Sequence, residues 1–196
     1  MNTAQYIWLA ICWVIFGLSH SLLAADNVKK RFSIIMQKAF RFYRLLYSFF
    51  AASILAYILY YNFSISSIML WQAPAIQKII SIIIGTGGII MMLICINKYF
   101  FSLSGFDVFY KKESEVSLKV KGLNACIRHP LYTGTLLFVW GFFFWQPLVA
   151  NLISSICISI YTFTGTVLEE RRLLKIFGED YKNYVARVPR FFPKLF

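Results

Sequence analysis

Acidic residues are scarce in this chain: eight Asp and Glu stand against twenty Lys and Arg in 196 residues, and charged residues are only 14% of the total. With 59% hydrophobic and 19% aromatic residues, that little charge cannot cover an ordinary soluble domain, and a bilayer-embedded protein is the class that remains. Histidine is scarcer still. His20 and His129 are the only two, and Cys12, Cys95, Cys126 and Cys157 form no Cys-x-x-Cys pair, so no His/Cys metal centre is expected. Three of the four cysteines lie inside apolar runs and read as small hydrophobes. The first apolar run lacks a basic segment before it and a small-residue cleavage site after it, which predicts a retained span rather than a signal peptide. No hydrophilic block is long enough for a second core, so residues 1–196 are expected to form a single membrane-embedded domain.

The net charge of +12 does not indicate nucleic acid. The basic residues collect between apolar segments, as juxtamembrane loops facing anionic lipid do. Membrane lipids are therefore the expected surroundings. No nucleic-acid partner is expected, and nothing in the sequence points to an obligatory protein partner.

Five apolar segments, at about residues 4–24, 45–63, 76–96, 131–145 and 148–168, are candidates to cross a hydrocarbon core of ~30 Å. The fourth is short and needs little tilt, or a start within the interface. Basic residues crowd the loops 25–44 and 97–128 and the tail after Leu168, whereas the link 64–75 and the Gln146-Pro147 turn carry no charge. The positive-inside rule then predicts an extracytoplasmic N-terminus and a cytoplasmic C-terminus, in the inner membrane if the source is bacterial. Beyond Gly178, the residues Tyr181, Tyr184, Val185 and Val188 before Pro189 predict an amphipathic helix folded back along the surface. The closing Phe191, Phe192, Pro193, Leu195 and Phe196 would tuck into the bundle or the interface. The predicted fold class is all-α: a polytopic membrane helical bundle with about five transmembrane helices and a C-terminal amphipathic helix. Gly85-Thr86-Gly87-Gly88 sits mid-span with no strand before it, so it reads as a close helix approach rather than a nucleotide loop.

Chemistry concentrates between Arg128 and Glu170. Pro130 suits the first position of a helix, which makes His129 the cap of the fourth span, beside free N–H groups that attract anions. Arg128 adds a fixed cation with bidentate geometry for a carboxylate, such as the methionine end of S-adenosylmethionine. The plainer alternative is that Arg128 reaches lipid phosphate and His129 only caps. Glu169 and Glu170 close the last span, and a carboxylate at the hydrocarbon boundary is a functional-site candidate. Pairing with Arg171, Arg172 or Lys175 along the same helix is the alternative there. A hairpin of the last two spans would return both ends to one membrane face, with the site built from residues 120–134 and 165–193. Tyr132 suits either a cofactor contact or the aromatic belt. His20 and Asp107 are candidates on the side of an acceptor, or a packing residue and a local cap respectively.

The run Gly122-Leu123-Asn124-Ala125-Cys126-Ile127-Arg128-His129-Pro130-Leu131-Tyr132-Thr133-Gly134 resembles the cofactor loop of the isoprenylcysteine carboxyl methyltransferase and phospholipid methyltransferase superfamily. So does the tail, with Glu169-Glu170, Phe177-Gly178-Glu179-Asp180-Tyr181, Tyr184 and Val188-Pro189-Arg190-Phe191-Phe192-Pro193. Gly17 to Ala24, Tyr43 to Tyr47 and Phe106 to Phe109 look like its bacterial thiol-methylating branch, whose acceptor is methanethiol. The resemblance implies an integral-membrane methyltransferase using S-adenosylmethionine and releasing S-adenosylhomocysteine. It implies cofactor contacts at Gly122, Leu123, Asn124, Arg128, His129, Pro130, Leu131, Tyr132, Gly134, Glu169 and Glu170. Asn124 stands where the family often has Tyr. Thr164-Gly165-Thr166-Val167 stands where the carboxyl-methylating enzymes carry an arginine, which disfavours a prenyl-cysteine carboxylate.

In-line methyl transfer demands positioning and desolvation more than acid–base groups, which suits a core with few proton-transfer residues. A small or lipophilic thiol is the favoured acceptor. Isoprenylcysteine carboxyl O-methylation and phospholipid N-methylation are the alternatives within the family. A non-enzymatic transporter or sensor subunit is the alternative outside it, and would want polar residues at mid-depth in several spans.

Overall fold

An apolar segment in lipid has no water for its backbone, so it closes its hydrogen bonds within itself as a helix. The computed structural model describes residues 3–104, 118 and 120–193. Among them the long apolar segments are α1 (Thr3–Ala24), α3 (Tyr43–Ser64), α4 (Ala75–Ser104), α6 (Pro130–Trp145) and α7 (Val149–Arg187), with α2 (Asp26–Met36) and α5 (Leu123–Cys126) as shorter connectors. The described residues contain no strand, only an isolated bridge between Met69 and Leu148. The stretches Thr3–Ala24, Asp26–Ser64, Ala75–Lys98 and Val149–Arg187 are long and apolar enough to cross a membrane. The 16-residue α6 is the short fourth segment the sequence predicts, about 24 Å at ~1.5 Å per residue. Ile79, Ile83 and Ile90 of α4 and Phe49 and Tyr60 of α3 are exposed, as side chains facing lipid are. The chain is an all-α polytopic membrane bundle.

The basic segment 25–44 is not a plain loop. It forms α2 and a 3-10 turn over Gln37–Phe42, with the change of direction at Gln37, whose φ is 45°. Ile34 and Ile35 are largely exposed beside the cluster Lys29, Lys30 and Arg31. That combination suits a helix lying in the interface. At the opposite end of the bundle, the two uncharged connections meet. Leu70 N–H donates to Pro147 O at 2.8 Å and Val149 N–H to Ile68 O at 3.0 Å, while Ala150 N–H donates to Ser67 Oγ at 2.9 Å.

Lipid tails are as apolar as leucine, so helices in a membrane associate through close packing and polar contacts rather than hydrophobic expulsion. Both devices are visible. α4 and α6 cross through glycines: a Cβ on Gly88 would stand 2.6 Å from Gly134 O and 2.7 Å from Phe138 N, and one on Gly141 would stand 2.8 Å from Gly85 N. α1, α3 and α7 pack around Leu9, Cys12, Trp13, Ile58 and Ala150. They are pinned by a relay in which Trp13 Nε1 donates to Ser154 Oγ (2.8 Å), Ser154 Oγ to Asn62 Oδ1 (2.8 Å) and Asn62 Nδ2 to Asn151 Oδ1 (3.0 Å).

α7 runs past its apolar stretch and breaks at Gly178, where φ is 53° and ψ is −122°. Glycine adopts that backbone at little cost. The following turns fold back as the amphipathic tail, with Tyr181, Tyr184 and Val188 against Leu173 and Phe177. Phe191 is buried and Phe192 exposed; Leu195 and Phe196 lie outside the described residues.

The glycine crossing yields a paired prediction. Gly88→Ala must push backbone against backbone and is expected to cost about 1–3 kcal/mol or more. Gly87→Ala, with nothing within 4 Å of the added methyl, is expected to be neutral. Thermal unfolding of both variants in detergent checks this, and equal melting temperatures would refute the crossing.

Candidate functional site

Pro130 starts α6, which puts His129 at the capping position, but its side chain makes no capping hydrogen bond. The imidazole turns instead toward α7. Its Nε2 lies 3.1 Å from Glu170 Oε1, and its Nδ1 lies 3.7 Å from Glu169 Oε2. An ionised carboxylate only accepts, so Nε2 carries the proton of its contact with Glu170.

Arg128, one residue earlier, reaches the same carboxylate. Its Nε and Nη2 donate to Glu170 Oε1 at 2.9 and 2.8 Å. Its Nη1 donates to the carbonyls of Val188 (2.5 Å) and Val185 (3.3 Å). Arg190 arrives from the tail, with Nε donating to Oε1 at 3.1 Å and Nη2 donating to Oε2. Backbone bonds hold the three segments in register. Arg128 N–H donates to Pro189 O at 2.9 Å and His129 N–H to Arg190 O at 3.1 Å. Thr133 Oγ1 donates to Phe191 O at 3.0 Å, and the Tyr184 hydroxyl to Asn124 O at 2.6 Å.

The side chains of His129, Arg128 and Glu170 are 5%, 8% and 13% exposed. Burial opposes ionisation of Glu170, but hydrogen bonds from Arg190, Arg128 and His129 and the nearby Arg128 charge outweigh it. They bring its pKa down from 4.5 to about 2. Two permanent guanidiniums stand against Glu170, with Glu169 at the rim beside His129, so the formal charges of the cluster balance. A cavity of about 450 Å³ opens beside it, between α7 and the folded-back tail, with Val167, Glu170, Leu174, Tyr181, Val185 and Arg190 among its walls.

The predicted site residues fall into three places. Arg128, His129 and Glu170 are in direct contact. Glu169 is 44% exposed beside His129, and Tyr132 sets its ring 5.6 Å from the imidazole. Leu123 and Asn124 form α5 after the left-handed turn at Gly122, whose φ is 70°, and Asn124 Nδ2 donates to Arg128 O at 3.2 Å. Pro130 is buried at the start of α6 with Leu131 half-buried next to it. Gly134 serves the α4 crossing: a Cβ there would meet Gly88 O at 2.8 Å.

His20 belongs to a separate cluster, with Nδ1 2.6 Å from the Tyr161 hydroxyl and its ring 5.1 Å from that of Tyr47. Tyr161 precedes Glu170 by two and a half turns of α7, roughly 13 Å along the helix. Asp107 lies outside the described residues. Two residues of the site were not singled out from sequence. Arg190 is one, although its motif was visible. Tyr181 is the other: it is 2% exposed, and its hydroxyl has no hydrogen-bond partner among the described residues. Among those residues no group of His, Cys, Asp and Glu could hold a metal ion.

The NnrU protein family matches residues 8–192 of the chain. The chain is 28% identical over 189 residues to a methanethiol S-methyltransferase of Crocosphaera subtropica, covering 91% of this chain and 71% of the relative. It is 25% identical over 194 residues to the methanethiol S-methyltransferase of Pseudomonas deceptionensis, covering 92% and 70%. It is 24% identical over 202 residues to methanethiol S-methyltransferase 1 of Bradyrhizobium diazoefficiens, covering 98% and 68%. No solved structure matches the chain.

Removing the central carboxylate strands a buried guanidinium, so Glu170→Gln is expected to destabilise the protein by about 3–5 kcal/mol, read by unfolding in detergent. The pH dependence has a fixed sign. Because the folded pKa is depressed, Glu170 contributes stability that is complete above the ordinary value of 4.5 and is lost as pH falls toward about 2. Between those limits the melting temperature of the wild type should fall more steeply than that of Glu170→Gln. Parallel profiles would show that the cluster does not form.

Proposed function

The chain belongs to the NnrU protein family, and from that premise we propose that it is an integral-membrane methyltransferase that takes its methyl group from S-adenosylmethionine and delivers it to a small or lipophilic thiol. The observation that carries this reading is the ion cluster of Arg128, His129, Glu170 and Arg190 against a cavity at the end of the last span whose wall also carries Arg171 and Lys182. The relatives' names supply the reaction class and the thiol.

The residues present suit the donor. The cavity of about 450 Å³ lies within the ~300–1,000 Å³ common for small-molecule sites. Its walls combine apolar side chains, Val167, Leu174 and Val185, with cations, as an amphipathic nucleoside with an amino-acid end requires. Bound S-adenosylmethionine supplies an electrophilic methyl group on a sulfonium and leaves as S-adenosylhomocysteine.

Glu170 takes five N–H contacts from the chain's own donors, four of them on Oε1, so its part is to hold Arg128, Arg190 and His129 in place. Glu169, half-exposed beside His129, is the more accessible carboxylate and the one to meet the donor's ammonium group. Gly122, Leu123, Asn124, Pro130, Leu131 and Tyr132 belong to the loop and helix start that carry Arg128 and His129, and Gly134 seats that helix on α4. Alignment of donor and acceptor within ~3–3.5 Å can supply several kcal/mol, and such an alignment needs rigid walls more than a base. A thiolate asks least of the protein. His20, bonded to Tyr161, is the candidate proton acceptor on the acceptor side. The asymmetry of basic loops supports a cytoplasmic site.

Two measurements test this. Calorimetry in detergent should show S-adenosylhomocysteine binding that weakens at least tenfold in His129→Ala and in Glu169→Ala, and mass spectrometry should detect the methyl thioether from a supplied alkanethiol. Wild-type protein that binds no S-adenosylhomocysteine would end the proposal. For orientation, Cys126 is exposed beside the site; a membrane-impermeant maleimide should label it in inverted vesicles and not in right-side-out ones.

A further inference from the structure

The Tyr181 ring fills a packed position on the folded-back tail, and a phenylalanine would fill that position equally well. The hydroxyl is another matter. It is buried to 2% residue exposure, and no described residue accepts or donates a hydrogen bond to it. A buried hydroxyl without a partner costs free energy, and native proteins rarely leave one so.

Its surroundings define the missing partner. Burial and the adjacent Glu170 charge push the phenol up to about 12, so it stays protonated and acts as a hydrogen-bond donor. Glu170 is not its acceptor: Oε1 takes four N–H contacts from Arg128, His129 and Arg190, Oε2 takes one from Arg190, and no hydrogen bond joins either oxygen to the Tyr181 hydroxyl. The cavity that Tyr181 lines is also walled by Arg171, Lys182 and Arg190 against the single carboxylate of Glu170. A protonated donor in the wall of a cation-rich cavity calls for an anionic oxygen.

We propose that Tyr181 is a ligand-binding residue whose hydroxyl, together with the Arg190 guanidinium, receives the carboxylate at the amino-acid end of the methyl donor. The inference rests on the methyltransferase reading above and adds to it the group that recognises that end. Arg128 is excluded from this task because it does not line the cavity and four of its five N–H groups go to Glu170, Val185 and Val188. A lipid phosphate offers the same anionic oxygen, and the arms of the test separate the two.

The experiment compares wild type with Tyr181→Phe, purified in neutral detergent, by calorimetry and thermal unfolding. The probes are S-adenosylhomocysteine, methylthioadenosine (the same nucleoside without the carboxylate) and short-chain phosphatidylglycerol. The variant should bind S-adenosylhomocysteine about tenfold more weakly, in keeping with a lost hydrogen bond to a charged group, and bind methylthioadenosine as the wild type does. Its ligand-free melting temperature should stay level or rise, because the deleted hydroxyl had no partner. Equal S-adenosylhomocysteine affinity in both proteins would overturn the role of Tyr181 and leave the methyltransferase reading standing. The inference also fails if both nucleosides weaken equally, if the ligand-free protein melts several degrees lower, or if only phosphatidylglycerol binding responds. Absence of S-adenosylhomocysteine binding in the wild type would overturn both.

Discussion

A carboxylate at the edge of a hydrocarbon layer must be neutralised or surrounded by donors, and Glu170 is surrounded. Arg128 and His129 come from the start of α6, Arg190 comes from the tail, and all three converge on one side chain of α7. This arrangement links three separate parts of the chain at a single point. It requires α6 and α7 to return to the same end of the bundle, and it requires the tail to reverse at Gly178. The backbone bonds from Arg128 and His129 to Pro189 and Arg190 are possible only once that reversal has occurred. Removing one partner would leave uncompensated charge in a poorly solvated place, so the cluster holds together as a unit.

The rest of the bundle meets a different constraint, because lipid gives its helices no reason to associate through apolar surface alone. Glycines bring the α4 and α6 backbones into contact, and the Trp13–Ser154–Asn62–Asn151 relay joins α1, α3 and α7. The two halves are thus held by different means: steric fit on one side and hydrogen bonds on the other. α6 takes part in both, since Gly134 faces Gly88 while His129, five residues earlier, faces Glu170. The short fourth segment is therefore the element through which the packing of the bundle and the geometry of the site are coupled.

Chemically, the site pairs fixed positive charge with an open, largely apolar cavity, and the carboxylate in its wall is held by the chain's own cations. That division gives neighbouring glutamates different work. Glu170 organises the cations, and Glu169, more exposed, remains available. It also separates the two arginines: Arg128 is consumed by the fold, and Arg190 lines the cavity.

Much of this was legible from residue order. Apolar length and charge placement are one-dimensional properties, so the helical bundle, the short fourth segment, the break at Gly178 and the close approach at Gly85–Gly88 could be read directly. The helix over 26–36 was hidden because its lysines and arginine read as loop charge, while Ile34 and Ile35 were too few to announce an interfacial face. Arg128, His129 and Glu170 stood out as ionisable residues at span ends. Their contact could only be expected, because it depends on how two helices rotate about their axes. Arg190 and Tyr181 stood in the tail motifs, but their contacts were beyond reach for the same reason: a residue on a folded-back tail acquires its neighbours from the angle of the reversal, not from its place in the chain. Sequence alone determined that this protein lives in a membrane and where its charges gather; only the tertiary structure decided which carboxylate gathers the cations, which arginine faces the cavity and which buried hydroxyl has no partner among the described residues.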